Sequence, residues 1–143
     1  ALDRAGVLVA LELGEHLAVA LARDVHQDVE PTAVRHADGG VVGEAAVDFI
    51  RQFRVDYAVI GTSAIDADGT LLDYDFREVK VAQAIVETAR KTVLVADSMK
   101  FTRTAPVRIG HFEQIDVLVT DATPPAHIAE ICAATGVEIV VAP

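Results

Sequence analysis

One cysteine, Cys132, is all this chain has, so no internal disulfide is available, and thiol use of this kind fits a reducing cytoplasm better than secretion. Its apolar setting, Ile131-Cys132-Ala133-Ala134, reads as core. Basic residues are also short, 12 against 22 acidic ones, for a net charge of −10. Attraction to a phosphate backbone therefore cannot carry the chain onto nucleic acid by itself. No segment approaches the roughly 20 apolar residues of a membrane span, and the start, Ala1-Leu2-Asp3-Arg4-Ala5-Gly6, lacks a basic flank with a long apolar run. No membrane association is expected. The five histidines are dispersed without an i, i+4 pair, so no zinc site is expected. Neither a G-x-S-x-G elbow nor a P-loop occurs, which removes support for a serine triad or a nucleotide triphosphatase.

What is present is hydrophobic content of 52% over 143 residues, enough for one domain with a buried core. Residues 56–61, 92–97, 116–121 and 137–142 are short, nearly continuous apolar runs of the kind that form strands buried on both faces. Helical patterns lie between them: residues 44–53, with Phe49, Ile50 and Phe53 on one side, and residues 76–90, with Val79, Ala82, Val86 and Ala89 on one stripe. Asp75-Phe76-Arg77-Glu78 predicts a capped helix start, and Arg90 and Lys91 would then favour its C-terminal dipole. Pro124 and Pro125 fit the opening of a last helix capped by Asp121 or Thr123, with Gly136 as its left-handed stop. Residues 7–25 read either as a helix or as a strand followed by a helix. The alternation implies an α/β fold, a mostly parallel Rossmann-like sheet with helices on both faces, whose ligand site lies beyond the carboxyl ends of the strands.

Three such ends converge: Gly61-Thr62-Ser63, Asp97-Ser98-Met99-Lys100 and Thr120-Asp121. Gly61 permits close backbone approach, and the hydroxyls of Thr62 and Ser63 can donate to phosphate or sugar oxygens. Lys100 can supply an ammonium to an oxyanion while Asp97 orients it or takes a ligand hydroxyl. Basic residues concentrate between 77 and 108, which suits a small anion. Asp66-Ala67-Asp68-Gly69-Thr70-Leu71 matches the D-x-D-G-T-L signature of haloacid-dehalogenase-like phosphatases. The aspartate, however, does not follow its strand at once and no later aspartate pair holds a metal, so a turn is the better reading. No metal and no cofactor are expected.

Asp38 to Ala45, Phe49 to Tyr57, Ile60 to Asp66, Leu72-Asp73-Tyr74-Asp75, Glu78-Val79, Asp97 to Phe101 and Thr120 to Pro125 follow one another in the order seen in the DeoR family. From residue 34 to the end the chain resembles the C-terminal sensor domain of these transcriptional repressors. The resemblance implies a ribose-5-phosphate-isomerase-like fold that binds a small phosphorylated metabolite, glycerol 3-phosphate being favoured, without catalysis. It assigns effector contacts to Gly61, Thr62, Ser63, Asp66, Asp97, Lys100, Glu78 and Lys80, with Asp68 a weaker candidate. It also implies a homo-oligomer, dimer or tetramer, in the cytoplasm. The family's winged helix-turn-helix and its Ser/Asp-Gly-Thr-Thr phosphate loop have no counterpart here. Residues 1–143 are thus expected to be one effector-binding and oligomerisation domain, incomplete on its N-terminal side, touching operator DNA only through the missing head. The alternative is an enzyme, a sugar-phosphate isomerase or a Mg²⁺-dependent phosphatase using Asp66 and Asp68.

Overall fold

The computed structural model describes residues 6–13, 16–23 and 44–143, with side chains from residue 44 onward. Two strands, β1 (Gly6–Leu13) and β2 (His16–Arg23), pair antiparallel, with Leu13 opposite His16. A hairpin therefore stands where the sequence left a helix or a strand and helix open. Next come α1 (Glu44–Ile50), β3 (Val55–Ile60), β4 (Ala64–Ile65), β5 (Thr70–Asp73) and α2 (Phe76–Thr88). The chain continues through β6 (Ala89–Val95), β7 (Val107–His111), β8 (Val117–Thr120), α3 (Ala126–Thr135) and β9 (Glu138–Val141).

The main sheet has the order β1-β2-β3-β6-β8-β9, and the pairs β3/β6, β6/β8 and β8/β9 are parallel. The α/β class and the four-stranded parallel core follow the apolar runs in the sequence. Because β3, β6, β8 and β9 succeed one another in a single direction, right-handed crossovers carry every connection over the same face. Burial agrees. Ala58, Ile60, Leu94 and Leu118 are 0–1% exposed on that face, packed with Ile85 of α2, Ile128 and Cys132 of α3 and the ring of Phe112. On the opposite face Tyr57, Val95 and Val140 are 40–48% exposed. The expected second helical layer, on that face, is not among the described elements.

Local signals set the element ends. Asp75 caps α2, its Oδ1 accepting from the Arg77 N–H at 2.8 Å and the Glu78 N–H at 3.4 Å. Gly136 ends α3 with φ of 79°, a left-handed stop as predicted. Two local expectations need correction. The helix predicted over 76–90 ends at Thr88, so Arg90 and Lys91 belong to β6, where Arg90 Nε lies 3.8 Å from Asp56 Oδ1. Helix α3 has Pro125 at its N-cap with no side-chain cap; Asp121 turns instead to the Ser98 N–H at 2.7 Å. No helix among the described residues is long and apolar enough to cross a membrane.

Candidate functional site

Strands β4, β5 and β7 form a second, antiparallel sheet beside the carboxyl ends of the main one. Its β4/β5 hairpin is built from the segment with the dense run of hydroxyls and aspartates. Thr62 is 1% exposed, and its hydroxyl lies 2.8 Å from the Leu72 carbonyl oxygen and 2.9 Å from that of Ala64, tying the two hairpin arms together. Next to it the Ser63 hydroxyl donates to Asp73 Oδ1 at 2.9 Å, and the same oxygen accepts the Tyr74 N–H at 2.7 Å.

Asp66 and Asp68 lie at the other end of this hairpin, in its turn. The Asp66 N–H donates to the Thr70 carbonyl at 2.8 Å, the Gly69 N–H to the Asp66 carbonyl at 3.0 Å, and Gly69 takes φ of 87°. Hydrogen bonding from Thr70, first its hydroxyl and then its backbone N–H, holds the Asp68 carboxyl below the usual carboxylate range. His111 pins the turn from β7, Nε2 standing 2.7 Å from the Asp68 carbonyl oxygen. The D-x-D-G-T-L match is thus a hairpin turn, and among the described residues no group of three or more His, Cys, Asp or Glu side chains could hold a metal ion.

A cavity of about 210 Å³ opens where the hairpin meets the start of α2 and the 3₁₀ turn Ser98–Thr102 after β6, lined by Ser63, Asp73, Tyr74, Asp75, Glu78, Lys100 and Arg103. Asp97 accepts the Met99 N–H at 2.9 Å and sits 3.5 Å from Lys100 Nζ, so it caps the 3₁₀ turn and steadies the ammonium. Lys100 is well covered, its side chain 16% exposed. Tyr74 reaches across the mouth, its hydroxyl donating to the Thr104 carbonyl at 3.0 Å, which joins the end of β5 to the segment carrying both cations.

Of the residues assigned from the sequence, Ser63, Glu78 and Lys100 line this cavity and Asp97 supports one of them. Gly61, Thr62, Asp66 and Lys80 are not among the lining residues; Lys80 is exposed on α2, its Nζ 5.2 Å from the centroid of the Phe76 ring. Asp73, Tyr74, Asp75 and Arg103 were not assigned. Arg103 belongs to the basic stretch between 77 and 108, and the Asp73-Tyr74-Asp75 tripeptide was visible as a motif, but only the tertiary fold points them at one space.

A family model for the DeoR C terminal sensor domain matches residues 17–122. The chain belongs to this family. Among individual proteins, the glycerol-3-phosphate regulon repressor of Haemophilus influenzae is 56% identical over 87 residues, covering 61% of this chain and 34% of that protein. The protein of the same name from Escherichia coli is 45% identical over 98 residues, covering 68% and 39%. The HTH-type transcriptional repressor CsqR of Escherichia coli is 36% identical over 107 residues, covering 75% and 41%. The chain thus spans between a third and about two fifths of the length of these relatives. All three are named as repressors, which gives the isomerase and phosphatase alternatives no support. The cavity carrying both cations and carboxylates lies at the carboxyl edge of the sheet, where ligands of open α/β folds generally bind.

Proposed function

We propose that this chain is the effector-binding domain of a DeoR-type transcriptional repressor, working in the cytoplasm as a homo-oligomer and sensing a small phosphorylated metabolite, with glycerol 3-phosphate favoured. The observation that carries the reading is the cavity in which Lys100 and Arg103 meet Ser63, Asp73 and Glu78. Two cations can neutralise a phosphate. The name of the 56% identical relative supports the choice of effector. In the intact protein, operator contact would fall to sequence outside these 143 residues, and effector binding would favour an arrangement of subunits with lower operator affinity. A phosphorus NMR titration of glycerol 3-phosphate with the purified chain and Mg²⁺ tests this. Saturable shift or broadening of the ester resonance, with no inorganic phosphate formed, is expected. Release of phosphate that stops in Asp66→Asn would overturn the reading in favour of hydrolysis.

A further inference from the structure

The two walls of the cavity are held in different ways. The acidic wall is part of regular structure: Asp73 ends β5, Asp75 caps α2 and Glu78 lies in its first turn. Asp73 is engaged within that wall, its Oδ1 accepting the Ser63 hydroxyl at 2.9 Å and the Tyr74 N–H at 2.7 Å. The cationic wall is looser. Lys100 belongs to the 3₁₀ turn and is steadied by Asp97, whereas Arg103 follows that turn, is exposed, and begins a stretch, residues 103–106, that lies outside any helix or strand. Without a ladder of backbone bonds, the direction of its side chain depends on how that stretch is tied down. Three ties hold it. Before Arg103 the Thr102 hydroxyl donates to the Met99 carbonyl at 3.0 Å and closes the 3₁₀ turn. Two residues after it, Ala105 is 8% exposed in a small apolar cluster with Ala64 and Leu72. Between them the Tyr74 hydroxyl reaches over from the acidic wall to the Thr104 carbonyl, at 3.0 Å and thirty residues away in the chain. At 63% exposure the Tyr74 side chain gains little from burial, so the hydrogen bonds at its two ends, to Asp73 and to Thr104, fix its place.

Resting on the effector reading above, we infer that Tyr74 is a positioning residue for Arg103: by holding the Thr104 carbonyl across the mouth of the cavity, it sets the guanidinium so that Arg103 and Lys100 meet one phosphate group together. The planar fork of Arg103 takes two phosphate oxygens where Lys100 offers a point charge. A fork held in place beforehand loses less freedom on binding than one carried by an untied stretch, and affinity for the anion rises accordingly. The links Ser63 to Asp73, Asp73 to Tyr74 and Tyr74 to Thr104 thus carry the rigidity of the β4/β5 hairpin to the residue beside Arg103. Asp73 serves the site as a brace and not as a ligand.

Isothermal titration with glycerol 3-phosphate at fixed ionic strength, on the 143-residue chain, Tyr74→Phe, Arg103→Gln and the double variant, tests the inference. Tyr74→Phe keeps the ring and removes the donor, and is expected to weaken binding by about threefold or more; Arg103→Gln should weaken it by about fivefold or more. Because Tyr74 acts through Arg103, adding Tyr74→Phe to Arg103→Gln should cost less than about 1.5-fold further, whereas a merely structural loss would weaken both backgrounds alike. Both side chains are exposed, and circular dichroism checks that each variant remains folded. A smaller loss in Tyr74→Phe, or a loss of equal size in the two backgrounds, overturns the positioning role while leaving the effector reading intact. Failure of glycerol 3-phosphate to bind the parent chain overturns the effector reading, and this inference with it.

Discussion

Thr62 offers a sharp way to separate a ligand hydroxyl from a structural one. Within the hairpin its Oγ1 approaches two carbonyls at 2.8 and 2.9 Å and is covered from solvent, at 1% exposure. Thr62→Val keeps the shape and removes the donor. The Leu72 carbonyl retains the Ser63 N–H at 3.0 Å, so the loss falls mainly on the link to the Ala64 carbonyl and on the closure of the hairpin arms. A net hydrogen bond is worth about 0.5–1.5 kcal/mol and a buried acceptor left short costs about 1–3 kcal/mol; the added methyl offsets part of this, giving about 1–2 kcal/mol overall. At about 3–4 °C per kcal/mol for a domain of this size, the midpoint of thermal unfolding should fall by about 3–8 °C. Thermal unfolding by circular dichroism and effector affinity by calorimetry would be measured on the same preparation. The structure requires lower stability with affinity retained within threefold. A variant with an unshifted midpoint and tenfold weaker effector binding would refute the inward role of this hydroxyl and restore Thr62 to the site.

Lys100→Met should weaken glycerol 3-phosphate binding by about 10- to 150-fold, the worth of one charge-assisted hydrogen bond of about 1.5–3 kcal/mol. The ion pair it gives up, at 3.5 Å from a half-exposed Asp97, contributes at most about 1 kcal/mol to stability, so the unfolding midpoint should move by about 4 °C or less. Cys132 is 0% exposed and burial raises its thiol pKa, so labelling by a thiol reagent at pH 8 should be slow in the native chain and rapid in denaturant; rapid native labelling would contradict its place in the core. Gly136→Ala forces a side chain into φ of 79° where nothing lies within 4 Å, so the cost is backbone strain of about 1–2 kcal/mol, and a chemical-denaturation curve should register it.

How much of this protein was legible beforehand depended on the range of the forces involved. The apolar runs around Val59, Leu94, Leu118 and Ile139 marked all four parallel strands, although β9 is the sheet edge and its Val140 and Val141 are 40–46% exposed. The Asp75 cap and the Gly136 stop are satisfied by neighbours within a few residues, and local sequence sufficed for them. The hairpin β4/β5 escaped notice because strands of two and four residues are too short to show a period, and its turn imitates a catalytic motif. Ser63 and Lys100, assigned from residue type and place, line the cavity; Thr62 and Asp66, assigned by the same reasoning, lie outside its lining, the Thr62 hydroxyl bonded within the hairpin and Asp66 placed in its turn. Residues of the motif series from Asp38 to Gly43 lie outside the described part of the chain. By itself the sequence determined the α/β class and the family, since these follow from patterning and residue type. Only the tertiary structure decided which side chains share one space: Ser63 meets Asp73 across ten residues, and Tyr74 meets Thr104 across thirty. A cavity belongs to the packing of distant segments, and no single segment encodes it.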